Sequence, residues 1–238
     1  MKAFMNWSGG KDSALCLYKI LQDTNYSVDC LLTNVNAAHD RISMHGVRRE
    51  LLIQQASSIG IKLNTVELPE KPGMDEYERL MSEKISALKS DGFTTAVFGD
   101  IFLEDLKEYR EKQLSAVGVN CVFPLWRKDT RELMKEFLSL GFKAVIVCVN
   151  GEYLDKTFCG RLIDESFIRD LPANVDICGE NGEYHSFVFD GPIFNTPINF
   201  KIGEIVTRTY PAPSDNDRNC YKPAISAEYA FHFCDLVH

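Results

Sequence analysis

The run Ser8-Gly9-Gly10-Lys11-Asp12-Ser13 places two hydroxyls, two glycines, a cation and a carboxylate in six consecutive positions. Glycines let a backbone turn sharply and come close to a ligand. Where a helix begins, its first N–H groups lack partners within the helix, and its dipole favours an anion. Ser8 and Ser13 add hydroxyl donors and Lys11 adds charge, so the run can form a cradle for phosphate. It matches neither the Walker-type loop nor the Gly-x-Gly-x-x-Gly fingerprint of dinucleotide folds. A hard cation bridging phosphates prefers carboxylate oxygen, which makes Asp12 the candidate Mg²⁺ ligand. The alternative is a first-turn acid that complements the helix dipole.

A second run, Gly179-Glu180-Asn181-Gly182-Glu183-Tyr184-His185, sets two carboxylates and two glycines in a tight space. Glu180 and Glu183 would suit a cationic group or ammonium, and Tyr184 would offer a cation–π face. An ordinary β-turn with solvated carboxylates is the competing reading. Trp126 and Arg127 together offer a stacking plane and a cation for an anionic substrate, with core packing the alternative for Trp126.

These residues need elements to hold them. Lys2–Trp7 reads as a strand, and Asp12–Gln22 as a helix with Ala14, Leu17, Tyr18 and Leu21 on one face. Strand-like runs follow at Val28–Val35, Ile61–Glu67, Thr94–Phe98 and Val119–Phe123. Helical periodicity separates them at Arg48–Ile59, Asp75–Ser90 and Leu103–Val117, the first ended by Gly60. Such alternation predicts a parallel sheet covered on both faces. Ligands then bind at the carboxyl ends of the strands, here the loops after Trp7, Val35 and Phe98. A further helix (Arg131–Leu140) and strand (Phe142–Val149) precede an irregular region, with strand-like runs again at Tyr184–Phe189 and Ile198–Tyr210. The division expected is a domain over 1–125 and a smaller mixed lobe over 126–238.

The chain has 238 residues, and 45% hydrophobic content is enough for a real core. With 26 Lys+Arg against 34 Asp+Glu the net charge is −8, and neither half is basic, which argues against general nucleic-acid binding. No apolar run approaches membrane-span length, Ala144–Val149 being the longest. None of the eight cysteines forms a Cys-x-x-Cys pair, so a reduced, cytoplasmic setting is expected.

The glycine loop resembles the pyrophosphate-binding loop of the N-type ATP pyrophosphatases, which cleave ATP between the α- and β-phosphates. Four further stretches narrow the resemblance: Arg41-Ile42-Ser43-Met44-His45-Gly46, Phe98-Gly99-Asp100-Ile101, Pro124-Leu125-Trp126 and Cys178 to His185. In this order they are similar to the diphthine–ammonia ligase family, in a form like its bacterial branch. The resemblance reaches about Thr209; the last 28 or so residues carry no matching motif. It implies a three-layer α/β ATP pyrophosphatase domain (adenine nucleotide alpha hydrolase-like) with a smaller α+β C-terminal lobe. It also implies ATP and Mg²⁺, a small-molecule or modified-protein carboxylate that is adenylated, and ammonia that displaces AMP to leave an amide. Ser8, Gly9, Gly10, Lys11 and Ser13 would hold the phosphates; Asn34 and Val35 would line the adenine pocket, with His45 and Gly99 beside the nucleotide. Lys11, Asp12 and Asp100 would serve the chemistry, with Trp126, Arg127, Glu180, Glu183 and Tyr184 toward the substrate. Arg110 matches an arginine of the family. A tRNA-modifying ATP pyrophosphatase and a nucleotide sensor without turnover are the competing functions; a homo-oligomer is left open.

Overall fold

The computed structural model describes residues 1–211 and 228–237. Its first sheet contains β1 (Lys2–Asn6), β2 (Ser27–Asn36), β3 (Arg41–Ile42), β4 (Lys62–Leu68), β5 (Thr95–Val97) and β6 (Asn120–Val122). The parallel strands run β4-β2-β1-β5-β6. Short β3 pairs antiparallel with the end of β2, Val35 opposite Ile42. From β1 the chain moves outward through β2 to β4, then returns to the other side of β1 as β5. The carboxyl ends of β1 and β5 therefore flank a topological switch point, where such sheets bind ligands.

Alternation along β1 explains the layers. Ala3, Met5 and Trp7 point into one core with residues of α1 (Lys11–Leu21) and α2 (Arg49–Ile59). Phe4 points into the other, beside residues of α3 (Met74–Ser90) and α4 (Glu104–Ala116). Gly60 ends α2 in the left-handed conformation, φ 81°, as its position after the apolar pattern predicts.

Helix α5 (Thr130–Ser139), N-capped by Asp129, leads to the second sheet, ordered β8-β7-β10-β9 and antiparallel. These strands are β7 (Lys143–Asn150), β8 (Tyr184–Asp190), β9 (Lys201–Pro211) and β10 (Glu228–Val237), with the short helix α6 (Glu165–Asp170) between β7 and β8. The second sheet packs on the α1–α2 layer. Val188 N–H donates to Gly9 O at 2.9 Å, and Ser58 Oγ donates to Thr196 O at 2.6 Å. This double cover corrects the single apolar face expected for the first helix. Leu21 is 46% exposed, whereas Leu15, Cys16 and Ile20 are buried with Ala14 and Leu17. Among the described residues no helix is long and apolar enough to cross a membrane. The described cysteines are free thiols. Burial pushes Cys121 up to about 11 and Cys159 up to about 12, so both stay protonated at neutral pH. Cys220 lies outside the described residues.

Candidate functional site

The loop after β1 is built from both halves of the chain. Gly9 adopts φ 77°, and a Cβ there would lie 2.7 Å from Gln55 Oε1. A Cβ on Gly10 would lie 3.0 Å from His45 Cε1 and from Ser186 O, and one on Gly99 3.1 Å from the Asp12 backbone. Gly9 is thus favoured by its left-handed turn, and Gly10 and Gly99 by close approach.

Buried Gln55 fixes the loop from behind. Its Nε2 donates to Gly9 O at 3.0 Å and to Val188 O at 2.6 Å, and its Oε1 accepts from Trp7 Nε1 at 3.1 Å. Helix α1 begins at Gly10 with no side-chain cap. Gly10 N–H donates to Ser8 Oγ at 3.3 Å, Lys11 N–H to Ser186 Oγ at 3.1 Å, and Ser13 Oγ to Gly10 O at 2.9 Å. The N–H groups of Asp12 and Ser13 find no acceptor among the described residues. Two unpartnered donors at a helix start beside a lysine suit an anion.

Lys11 is 4% exposed and its Nζ lies 2.7 Å from Asp12 Oδ2. Burial works against the ammonium, but the Asp12 carboxylate overrides it and holds Lys11 above the ordinary lysine range. Asp100 is paired with Arg110 at 2.7 Å; burial raises its pKa against the pull of that arginine. Glu180 Oε1 accepts from Ile101 N–H at 2.9 Å, so a carboxylate of the second lobe reaches the β5 loop. Burial, reinforced by the charge of Asp12, raises Glu180 to about 7.

The rings of His45 and His185 meet at a 30° tilt with centroids 4.6 Å apart, and His45 Nδ1 lies 3.3 Å from Ser186 O. Burial lowers His45 to about 4 and pushes His185 well below its usual value, so both rings are neutral at pH 7. Asn34, Gly99, Asp100, Glu180 and Tyr184 join the loop around a cavity of about 560 Å³ that extends between α3 and α4. A second cavity of about 410 Å³ lies toward β9 and β10. It shares Ile42, Ser43, Met44 and His185 with the first.

Several candidates fall elsewhere. Val35 is fully buried in the core, packed by its pairing with Ile42, and does not line the cavity. Trp126 packs against Phe123, centroids 5.9 Å apart, under Lys107. Arg127 sits at φ 55° with its N–H donated to Ile101 O at 2.7 Å, and its exposed side chain pairs with Glu104 at 3.2 Å. Glu183 is buried but faces its own loop, accepting from the N–H groups of Asp176 and Asn181, both at 2.9 Å. Tyr184 lines the cavity, yet the cation at its ring is the protein's own: Lys11 Nζ is 5.4 Å from the centroid. Its hydroxyl donates to Ile177 O at 2.6 Å.

Glu180 gives a prediction on stability. Its pKa is raised above the usual 4.5 in the folded chain, so its contribution is complete below about pH 4.5 and is lost as pH rises through about 7. The melting temperature of the ligand-free protein is expected to fall across that window. Glu180→Gln should flatten the fall in thermal melts; an unchanged slope would show that the carboxyl is not perturbed.

A parallel α/β sheet, with a helix start suited to an anion at its switch point, is closed by a second, antiparallel sheet. Residues 1–121 match the diphthamide synthase N-terminal domain and residues 129–210 the diphthamide synthase C-terminal domain, and the chain belongs to that family. It is 26% identical over 177 residues to the diphthine–ammonia ligase of Bos taurus, covering 72% of this chain and 66% of that protein. The Danio rerio diphthine–ammonia ligase is 26% identical over 213 residues, covering 80% and 83%. The chain thus spans just under two thirds of the bovine relative's length. Among solved structures it overlaps a U34-tRNA thiolase, NcsA, from Methanococcus maripaludis, with 15% identity, a TM-score of 0.39, and 59% and 58% of the two chains covered.

Proposed function

We propose that this chain is an ATP-dependent carbon–nitrogen ligase that adenylates a substrate carboxylate, releasing pyrophosphate, and aminates the acyl-adenylate with ammonia to release AMP. The observation that carries this reading is the uncapped start of α1, whose Asp12 and Ser13 N–H groups find no acceptor among the described residues beside Lys11 at the switch point. The names of the relatives, diphthine–ammonia ligases, supply the acceptor chemistry by analogy.

Ser8, Gly9, Gly10, Lys11 and Ser13 hold the leaving phosphates, and Lys11 neutralises charge as it builds on them. The cavity beside Asn34 and Gly99 takes the remainder of ATP, with neutral His45 at the cradle's rim. Asp12 is one-third exposed and offers an oxygen to Mg²⁺. No group of three metal-ligating side chains gathers among the described residues, but Mg²⁺ needs only one or two carboxylates when phosphates complete its shell. When bound it would neutralise the phosphates and orient them. Asp100, held by Arg110, fixes the opposite wall.

The second cavity adjoins the first across Met44 and His185, so a carboxylate lying in it can reach the phosphate end of the nucleotide. Glu180 stands where an incoming ammonium would be drawn and, with a carboxyl that titrates near neutrality, can accept its proton. A carboxylate is a poor electrophile and an acyl-AMP a good one, so catalysis rests on holding two anions together. Pyrophosphate–ATP exchange is the direct assay: labelled pyrophosphate should enter ATP only when the right carboxylic acid is present. Exchange with no acid, or none across a broad acid panel with ATP demonstrably bound, contradicts adenylation.

A further inference from the structure

The outer edge of β9, on the side away from β10, takes no part in this chemistry. β9 is an edge strand: β10 covers one side, and among the described residues nothing pairs with the other. Edge strands expose unpaired N–H and C=O groups, and soluble proteins usually keep them short, charged or twisted away. β9 instead runs from Lys201 to Pro211 and exposes large apolar side chains: Ile205 at 39%, Val206 at 40% and Tyr210 at 43%. A register shift between Ile202 and Ile205 sets Gly203 and Glu204 against Asp235, leaving a regular ladder from Ile205 to Pro211, with Glu204 at its near end lining the same cavity as Val206, Arg208 and Tyr210.

The charges on this stretch select a partner. Glu204 and Arg208 are exposed and have no ion-pair partner among the described residues. Suppose a second β9 is laid antiparallel with Val206 on the two-fold axis. Glu204 then faces the partner's Arg208 and Arg208 faces the partner's Glu204, while Ile205 meets the partner's Thr207. Directly opposed residues of unlike charge stabilise antiparallel strands, whereas like charges oppose pairing. Shifting the axis by one residue in either direction loses both ion pairs, so the register is specified by charge. An isologous contact of this kind closes on itself and does not propagate.

We infer that β9 is a self-complementary docking edge through which two copies of this chain pair, joining their second sheets into one of eight strands. The two-fold axis stands perpendicular to the sheet, so the face bearing Val206, Arg208 and Tyr210 continues from one copy to the other. That face lines the second cavity, and Val206 and Arg208 pair in register with Phe233 and Phe231. Pairing would therefore set the two second cavities side by side on one surface.

Sedimentation of the full-length chain at about 10–100 µM tests this. Wild type should show a reversible species of twice the 27.0 kDa chain mass. Glu204→Arg brings like charges together and should weaken the dimer by about tenfold or more, as should Val206→Lys at the axis. The double variant Glu204→Arg/Arg208→Glu should restore dimerisation. These positions are exposed, so circular dichroism should show native folding in every variant. A wild type that stays at 27.0 kDa overturns the inference, as does a dimer indifferent to these substitutions or a double swap that fails to recover.

Discussion

Replacing Lys11 by methionine should remove ATP turnover while leaving the fold intact. The side chain is buried, with its ammonium 2.7 Å from Asp12 Oδ2 and facing the helix start. Methionine keeps most of the volume, so the apolar contacts of α1 survive, but Asp12 is left without its neighbour and the phosphates without their fixed cation. Loss of one preorganised charge in such a site costs about 10²–10³-fold in rate. Part of the effect should appear in binding, because the paired Lys11 and Asp12 sum to zero whereas Asp12 alone repels a polyanion. Titration calorimetry with a non-hydrolysable ATP analogue measures that part, and steady-state kinetics the rest. Lys11→Met with wild-type ATP affinity and rate would remove the loop from the site.

The second large effect concerns Gln55, which never touches the cavity. It serves Trp7 Nε1–H, Gly9 O and Val188 O at once, at 3.1, 3.0 and 2.6 Å. Gly9 O keeps a second donor, Val188 N–H at 2.9 Å. Gln55→Leu would therefore strand chiefly the Trp7 N–H and Val188 O in a dry interior, each at about 1–3 kcal/mol. For a chain of this length that is a fall in melting temperature of about 4–24 °C. Because Gln55 ties the glycine loop to β8, ATP affinity should fall with stability even in the fraction that remains folded. Scanning calorimetry with and without nucleotide separates the two; a melting temperature within a degree or so of wild type would mean the three bonds carry no net weight.

These two residues show what was legible in the chain and what was not. The loop from Ser8 to Ser13 lies within one turn, and its glycines, hydroxyls and cation signal the same chemistry as the local backbone that carries them. The strand–helix alternation through Val122 was equally readable, because each element announces its own period. Gln55 and Ser186 were missed because their partners are distant in sequence: Val188 for the first and Lys11 for the second. A signal for Gln55 did exist. It occupies a core position of α2 beside Leu51, Leu52 and Ala56, where a polar side chain must have partners.

Composition misled at the second lobe. Glu180 and Glu183 look equivalent in sequence, yet one reaches Ile101 N–H across the cleft while the other folds back on Asp176 and Asn181. Three residues separate them, and the left-handed glycines Gly179 and Gly182 decide which way each points. Trp126 packs on Phe123, and Arg127, in a turn at φ 55°, pairs with Glu104, so neither lines the cavity. β10 carried no motif, yet it sits between β7 and β9, and its Asp235 binds Arg41 and Arg48 at 2.8 and 2.6 Å. Those bridges fasten the last strand to the segment that leads into His45.

The net charge of −8 fits this arrangement. On the proposed reading a polyanion would be held by donors within one helical turn and by Lys11, with no need of a basic surface, although four acidic groups, Asp12, Glu78, Asp100 and Glu180, line the same cavity. With the phosphates held at this loop, ATP is expected to be cleaved between the α- and β-phosphates. Turnover of ATP labelled at the α-phosphate, with ammonium and a panel of carboxylic acids, tests it most directly. Labelled AMP with stoichiometric pyrophosphate is the predicted result. Labelled ADP with inorganic phosphate would contradict it.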